Sequence, residues 1–283
     1  MKLAAKLELD VTILRVVKCS PYLAKEQLEN SEAAQAARVY LAQVSDFLAL
    51  ENETPLSVPN RLTTRLLAGD PAQEICRYAS EEKFDLVTMT THGQPQNQGY
   101  FVGSVTRKVL HHLTIPALLV RSYWQKPHTR PTLSETLACL EEPFGKRFLA
   151  NDMRFVLPLD MTNKAEACLD LSFELAQKLD ATLYLLKVNN PVIYLEGNPL
   201  HSYTGVPSAL SELDLTIRDE ANFYLRQIEI LAEKMDVEVV KIVRSGNPAT
   251  EILAFAELME PDALIMATHA PGEDGPENLP SLT

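Results

Sequence analysis

The sequence predicts an α/β protein that contains two copies of a doubly wound parallel-sheet domain. Two observations predict this class. Apolar, strand-like runs alternate along the chain with amphipathic, helix-like runs, which is the pattern of βαβ units. Residues 68–93 also match residues 245–270 without a gap, at an offset of 177 residues. Because this period is much longer than that of a solenoid repeat, the match indicates two copies of one domain.

The first copy is predicted from short segments, taken in chain order. Residues 1–9 resemble the tail of a helix, and "VTILRV" (11–16) is a strand that matches "LYLLKV" (183–188) at an offset of 172 residues. The apolar run "FDLVTMT" is a further strand, which ends at Thr90. The last two predicted elements are the helix "SVTRKVLHHL" (104–113) and a fifth strand, "IPALLVR" (115–121).

The second copy begins with "RFVLPLD" (154–160), whose continuous apolar character suits a strand that is buried on both faces of a parallel sheet. The following elements are the helix "NKAEACLDLSFELAQKL", the strand "TLYLLKV", a Pro/Gly-rich loop at 189–214, the helix "IRDEANFYLRQIEILAEKM", the strand "VEVVKIV", a helix capped by Asn247 and Pro248, and the strand "DALIMAT". One stripe of the long helix is predicted to face the core: Ile217, Ala221, Tyr224, Leu225, Ile228, Ala232 and Met235. Ligands of such sheets bind at the carboxyl ends of the strands.

Composition narrows the function classes. The 283 residues are 46% hydrophobic and carry a net charge of −12, which disfavours nucleic acid and anionic membranes as partners. No apolar run approaches the roughly 20 residues that span a bilayer. The four cysteines have no CxxC spacing and predict reduced thiols in a cytoplasmic protein: Cys19, Cys76, Cys139 and Cys168.

The domain boundaries follow from the repeat. Residues 1–121 are predicted as domain 1 and residues 153–283 as domain 2. The segment 122–152 is rich in proline, contains the single tryptophan, Trp124, and is predicted as a linker with one short helix at 132–141.

A glycine-rich loop, "THGQPQNQGYFVGS" (91–104), joins a predicted strand to a predicted helix. Glycines let the main chain approach a phosphate closely, and a helix that begins at Ser104 would direct its N–H groups toward the anion. Gly93, nine residues, Gly103 and Ser104 keep the second half of a Gly, two residues, Gly, nine residues, Gly, Ser/Thr pattern, with Thr90 at the first glycine position. With "THG", "VLHHLTIPALLV", "GDPAQEI" and "FVLPLD", this loop resembles the universal stress protein family in its tandem form.

The resemblance implies a Rossmann-like fold of the type that binds adenine nucleotides, and it assigns a role to each matching position. Val16 would contact adenine through its backbone, and Met89 and Thr90 would line the ribose. The phosphates would be wrapped by Gly93, Gly103, Ser104 and Val105. In copy two, Asp160 would accept a hydrogen bond from the adenine or ribose edge, and Val188 would repeat the role of Val16. The implied ligand is ATP, accompanied by Mg²⁺.

Both copies depart from the pattern. Copy one has no twin of "RFVLPLD", and copy two lacks the last helix and strand. Its loop carries Ala270 and Pro280 in place of Gly93 and Gly103, together with acidic residues that would repel phosphate. We expect either a fragment of a longer tandem protein or a partner chain or other segment that fills the empty strand position. A functional site is expected at the copy-one loop.

The resulting expectation is a stress-response regulator or sensor that binds ATP or a related nucleotide, with a non-nucleotide-binding interaction module as the alternative. No motif positions a general base, so enzymatic activity is expected to be at most slow ATP hydrolysis, with no catalytic or metal-binding residues. His92 and His269 are expected to order their loops. The two domains are expected to pack as an intramolecular pseudo-dimer, and the unpaired edge of "IPALLVR" also allows a homodimer.

Overall fold

The computed structural model describes residues 2–18, 31–50, 61–91, 102–120, 153–190 and 207–267. The chain divides into two compact units: unit 1 comprises residues 1–141 with 270–275, and unit 2 comprises 142–269 with 276–283. Both units are α/β, and all of their described strand pairs are parallel, as the sequence predicts. None of the described helices combines the length and the apolar character needed to cross a membrane.

Unit 1 contains two separate pairs of strands among its described residues. Its helices are α1 (Lys2–Lys6), α2 (Glu32–Leu50), α3 (Pro71–Glu81) and α4 (Ser104–His112). Its strands are β1 (Val11–Val17), β2 (Leu62–Ala68), β3 (Val87–Thr90) and β4 (Ala117–Val120). β1 pairs with β2 and β3 pairs with β4, and no strand that the structure describes joins the two pairs.

Unit 2 contains one four-stranded sheet in the order β7-β6-β5-β8. Its strands are β5 (Met153–Leu159), β6 (Ala181–Asn189), β7 (Val239–Ser245) and β8 (Ala263–Leu264). Its helices are α5 (Asn163–Glu166), α6 (Leu169–Leu179), α7 (Pro207–Lys234) and α8 (Pro248–Met259). The strand β5 therefore has a hydrogen-bonded neighbour on each side.

The apolar run in β5 is explained by its central position. Phe155, Val156 and Leu157 are at most 3% exposed, because both faces of the strand are covered. Pro158 is tolerated in this central strand because alternate residues of a parallel strand bond to opposite neighbours. The carbonyl of Val156 accepts from the N–H of Ile265, so the main-chain groups of Val156 point toward β8. Pro158, two residues later, points the same way. Its missing N–H therefore lies beyond the end of β8, where no strand partner is lost.

Three predicted element boundaries were wrong. The predicted helix 163–179 is two helices, because the chain turns at Ala167 and Cys168 before α6 begins. The long helix α7 begins at Pro207, within the predicted loop, since proline suits a first helical turn and the following residues are good helix formers. The predicted strand 262–268 is reduced to β8. The predicted linker helix (132–141) lies outside the described residues, as do residues 268–283, where copy two was predicted to lack its last helix and strand.

The turns that lead into α3 and α8 show the internal repeat at the level of the backbone. Gly69 and Gly246 have φ angles of 151° and 150°, which favour glycine. The next residue caps its helix in both units: Asp70 accepts from the N–H groups of Ala72 and Gln73, and Asn247 accepts from that of Thr250. Two distant parts of the sequence therefore fold into the same strand-to-helix turn.

The core of unit 2 lies between its sheet and its helices. Leu183, Leu185 and Leu186 of β6 are fully buried. The predicted apolar stripe of α7 packs inward, with five members buried: Ile217, Ala221, Leu225, Ile228 and Ala232. Tyr224 and Met235, the other two members, are partly buried. Val156, Leu186 and Val188 also form a cluster with Ile252 and Phe255 of α8.

One charged side chain lies inside this sheet. Lys187 of β6 is only 6% exposed, and its Nζ donates to the carbonyl of Val188 over 3.5 Å. Burial lowers the pKa of Lys187 because the charged form loses water, and the negative charge of Asp160 partly opposes this change. Lys187 is therefore a buried charged residue in a mostly apolar strand.

The repeat provides a matched test of core packing. Leu186 is fully buried, whereas Leu14, its counterpart in β1, is partly exposed. We expect Leu186→Ala to lower the free energy of unfolding of unit 2 by about 2–5 kcal/mol, because the deletion leaves a cavity. Leu14→Ala should lower that of unit 1 by roughly half as much or less. Urea denaturation read by hydrogen–deuterium exchange of each unit checks both values; equal losses would contradict the difference in packing.

The buried lysine predicts a pH dependence. At neutral pH we expect Lys187→Met to raise the free energy of unfolding of unit 2, because the native protein buries a cation there. Between the lowered native pKa and the ordinary value of 10.5, the unfolded chain binds more protons, so the wild type gains stability as pH rises. The advantage of the methionine should therefore shrink toward about pH 10.

Urea unfolding of unit 2 at several pH values measures this difference. Lys178→Met, on the exposed face of α6, is the matched control and should give no pH-dependent difference. An advantage of Lys187→Met that stays constant with pH would be inconsistent with desolvation of the ammonium group.

Candidate functional site

The first turn of α4 is fastened to the carboxyl end of β3. The N–H of Gly103 donates to the carbonyl of Thr91 over 2.7 Å, and the hydroxyl of Thr106 donates to the carbonyl of Thr90 over 3.0 Å. Thr106 is 4% exposed, so this second bond is shielded from water. These contacts hold the start of the helix beside the end of the strand, where α/β sheets bind ligands.

The N-terminus of α4 has no side-chain cap. Gly103 occupies the cap position with φ −56° and ψ 151°, and no side chain accepts from the first turn. No acidic residue lies in that turn either. The first N–H groups of a helix have no intrahelical acceptor, and the helix dipole makes this end attractive to anions. Ser104 and Val105 therefore present main-chain donors that suit a phosphate group.

The helix α3 supports α4 from the side. The thiol of Cys76 lies 3.8 Å from the carbonyl of Val109, and burial raises the pKa of this thiol. The ammonium group of Lys108 lies 4.0 Å from the carboxylate of Asp70, which caps α3. The side chain of Lys108 is 62% exposed and that of Asp70 is 38% exposed, so the ion pair adds little stability, but it places a cation on α4 near its first turns.

The structure brings together five of the residues that were predicted to bind nucleotide: Met89, Thr90, Gly103, Ser104 and Val105. Val16 lies near the carboxyl end of β1, which belongs to the other strand pair of unit 1. Gly93 and His92 lie outside the described residues, as does His269 of copy two. The corner formed by β3 and α4 is thus the described part of the predicted loop site.

In unit 2, Asp160 and Val188 lie at the neighbouring carboxyl ends of β5 and β6. Oδ1 of Asp160 accepts from the N–H of Thr162 over 2.9 Å and from its hydroxyl over 2.6 Å. Thr162 in turn caps α5 by accepting from the N–H of Ala165. One oxygen of Asp160 therefore orders this turn, and Oδ2 makes no hydrogen bond with a described residue.

Three further polar groups near these strand ends were missed from the sequence. Besides Lys187, Oδ1 of Asn189 and the hydroxyl of Tyr224 are buried without a hydrogen-bond partner among the described residues. Burial raises the pKa of Tyr224, and the nearby carboxylate of Glu166 raises it further. A lysine and an asparagine in and beside the apolar run "TLYLLKV" were the available signal, because charged residues are seldom buried in such strands.

Other described features do not offer an anion or metal site. No group of three or more His, Cys, Asp or Glu side chains in the described ranges could hold a metal ion. A groove of about 430 Å³ in unit 2 lies at the amino ends of β6 and β7 and is lined by Asp180, Glu233, Asp236 and Glu238. Its acidic lining disfavours a phosphate ligand.

Sequence comparisons identify proteins that are similar to this chain. The family model for the universal stress protein family matches residues 1–121 and 153–278. Universal stress protein MJ0531 of Methanocaldococcus jannaschii is 34% identical over 61 residues, which are 22% of this chain. The chain thus spans only 36% of the length of that curated relative.

Two solved structures match this chain over most of its length. A universal stress protein from Archaeoglobus fulgidus has a TM-score of 0.58 at 16% identity, covering 93% of this chain and 80% of its own. Protein PA1789 from Pseudomonas aeruginosa has a TM-score of 0.52 at 11% identity, covering 95% of this chain and 85% of its own. These likenesses show a Rossmann-like α/β fold. The family match over both segments shows that the chain belongs to the universal stress protein family, in its tandem form.

Proposed function

We propose that this protein is a stress-response regulator or sensor that binds ATP, or a related nucleotide, through unit 1. The observation that supports this function is the uncapped start of α4, which hydrogen bonds hold beside the end of β3. The phosphates would lie against the main-chain N–H groups of Ser104 and Val105, whereas the N–H of Gly103, also predicted as a phosphate donor, already donates to the carbonyl of Thr91. A cytoplasmic location stays a prediction.

The local charge favours this assignment. The chain carries a net charge of −12, so most of its surface would repel a polyphosphate. The start of α4 differs, because its first turn contains no acid and Arg107 and Lys108 follow directly. Salt screens the distant negative charges of the protein, so the backbone donors and cations close to the site can offset the repulsion of the net charge.

The other proposed nucleotide contacts rest on the resemblance to the family. Met89 and Thr90 would line the ribose beside β3, Gly93 would complete the phosphate loop, and Val16 would contact adenine. In unit 2, Asp160 and Val188 would contact the base and ribose. The Oδ2 atom of Asp160 is the acceptor that suits this role, since Oδ1 already binds Thr162.

We further propose that bound ATP acts as a regulatory ligand and is hydrolysed slowly at most. Mg²⁺ would accompany the nucleotide, held mainly by its phosphates. Near the start of α4 the described residues offer main-chain donors and hydroxyl groups, and the sequence contains no motif that positions a general base. The protein would therefore signal through the fraction of sites that hold nucleotide.

The charge at the helix start provides the test. We expect Mg-ATP to raise the melting temperature of the wild type, because ligand that binds the folded state stabilises it by mass action, by about 2.7 kcal/mol at 100 times Kd. Gly103→Asp should remove this rise, because the new carboxylate would cap the same N–H groups and repel the phosphates. Differential scanning fluorimetry over a series of ATP concentrations measures both proteins.

The matched control is His112→Asp, which adds the same charge at the exposed, opposite end of α4. This variant should keep the ATP-dependent rise, even if its own melting temperature is lower. An undiminished rise in Gly103→Asp would place the ligand elsewhere in the protein. Absence of any rise in the wild type would favour the interaction module instead.

A further inference from the structure

The ion pair between Lys108 of α4 and Asp70, the cap of α3, lies beside the proposed phosphate site. Nζ of Lys108 is 4.0 Å from Oδ2 of Asp70. This distance is longer than the roughly 3.2 Å limit of an ordinary N–H···O hydrogen bond, so the contact is an attraction between charges. Because both side chains are partly or largely exposed, the pair contributes little to stability. The ammonium group is therefore held in place but can exchange its partner at little cost.

The position of Asp70 determines where this ammonium group lies. Asp70 follows β2 by two residues, so it lies at the carboxyl end of that strand. Lys108 comes four residues after Ser104, which puts both residues on the same side of α4. Side chains of a helix lean toward its N-terminus, and a lysine at this position is directed back to the first turn. The cation is thus on the side of α4 from which the N–H groups of Ser104 and Val105 can be reached.

The internal repeat shows that the cap at this turn does not require a charge. Oδ1 of Asp70 accepts from the N–H groups of Ala72 and Gln73 over 3.1 and 3.2 Å. Asn247, the counterpart of Asp70 at the offset of 177 residues, accepts from the N–H of Thr250 over 3.2 Å. A neutral amide oxygen therefore caps the equivalent helix of unit 2, as expected from the similar capping strength of the two residue types. In unit 1, Oδ1 serves the cap, and the negative charge has a second contact through Oδ2.

We propose that Lys108 is a further phosphate-binding residue and that Asp70 restrains it when no nucleotide is bound. The phosphates would attract the ammonium group more strongly than Asp70 does, because they carry several negative charges close together and the carboxylate carries one. Binding would exchange one ion pair for another, and the charge of Asp70 would then oppose the ligand. This inference rests on the proposed function and adds that the pair tunes the affinity for the phosphate part of the ligand.

Comparison of ATP with adenosine tests Lys108. We expect Lys108→Met to weaken Mg-ATP binding about tenfold, because a charge-assisted contact to phosphate is lost. Adenosine has no phosphate, so its affinity should stay within about 1.5-fold of the wild type. A change that merely disturbed the fold would weaken both ligands. Isothermal titration calorimetry measures ATP, and displacement of ATP measures adenosine.

Lys178→Met is the matched control for the loss of a cation. Lys178 of α6 also forms an exposed ion pair, with Glu174 over 2.8 Å, but this pair is in unit 2. The substitution changes the net charge of the protein equally. Since distant exposed charges are screened, ATP affinity should stay within about 1.5-fold of the wild type.

Asp70→Asn tests the restraint. The new amide keeps an acceptor for the α3 cap, as Asn247 does in unit 2, so the melting temperature without ligand should stay close to that of the wild type. We expect ATP affinity to rise about threefold, because Lys108 is released and a nearby negative charge is removed, while adenosine is unaffected. Glu174→Gln, in the control pair, should leave both affinities within about 1.5-fold.

A double-mutant cycle shows whether Asp70 acts through Lys108. In the background of Lys108→Met, the gain from Asp70→Asn should fall below about 1.5-fold, because no ammonium group remains to be released. An equal gain with and without Lys108 would show that Asp70 acts only as a nearby charge, and the proposed restraint would be wrong.

The remaining outcomes separate this inference from the proposed function. A wild type that binds no ATP would refute both. ATP binding that is unchanged in Lys108→Met would refute this inference alone. Equal weakening of ATP and adenosine in Lys108→Met, or weaker ATP binding in Asp70→Asn, would also overturn it.

Discussion

A central strand of a parallel sheet needs hydrogen-bonding partners along both edges and packing partners on both faces, and both units reflect this constraint. Its N–H and carbonyl groups need a neighbour at each edge, and its side chains need cover on both faces. In unit 2, β5 meets all four requirements, with β6 and β8 at its edges and an almost fully buried set of side chains. In unit 1, the described strands remain as two pairs, and their side chains are correspondingly more exposed.

Helix capping differs between α4 and the two helices α3 and α8. The turns after β2 and β7 both place a glycine, a capping residue and a proline before a helix. The cap side chain then accepts from N–H groups of the first turn, so α3 and α8 have fewer main-chain donors to offer a ligand at that point. The start of α4 differs because its cap is a glycine, and the main-chain donors there remain without a side-chain acceptor. Ligand binding and helix capping compete for the same N–H groups.

The polar residues of unit 2 show a different compromise. Lys187 and Asn189 are buried beside the carboxyl ends of β5 and β6, and Oδ1 of Asn189 has no described partner. Burying such groups costs free energy unless they are paired. They lie near the carboxyl ends of the strands, the edge at which α/β sheets generally bind ligands, whereas the core below them is apolar.

The sequence by itself determined the α/β class, the internal repeat, most strands and the start of α4 at Ser104, because hydrophobic periodicity and capping residues act over a few neighbouring positions. Tertiary structure alone decided that β8 is short and that Lys187 is buried. These features depend on which strands and helices pack against one another, and contacts between residues far apart in the chain leave no local pattern.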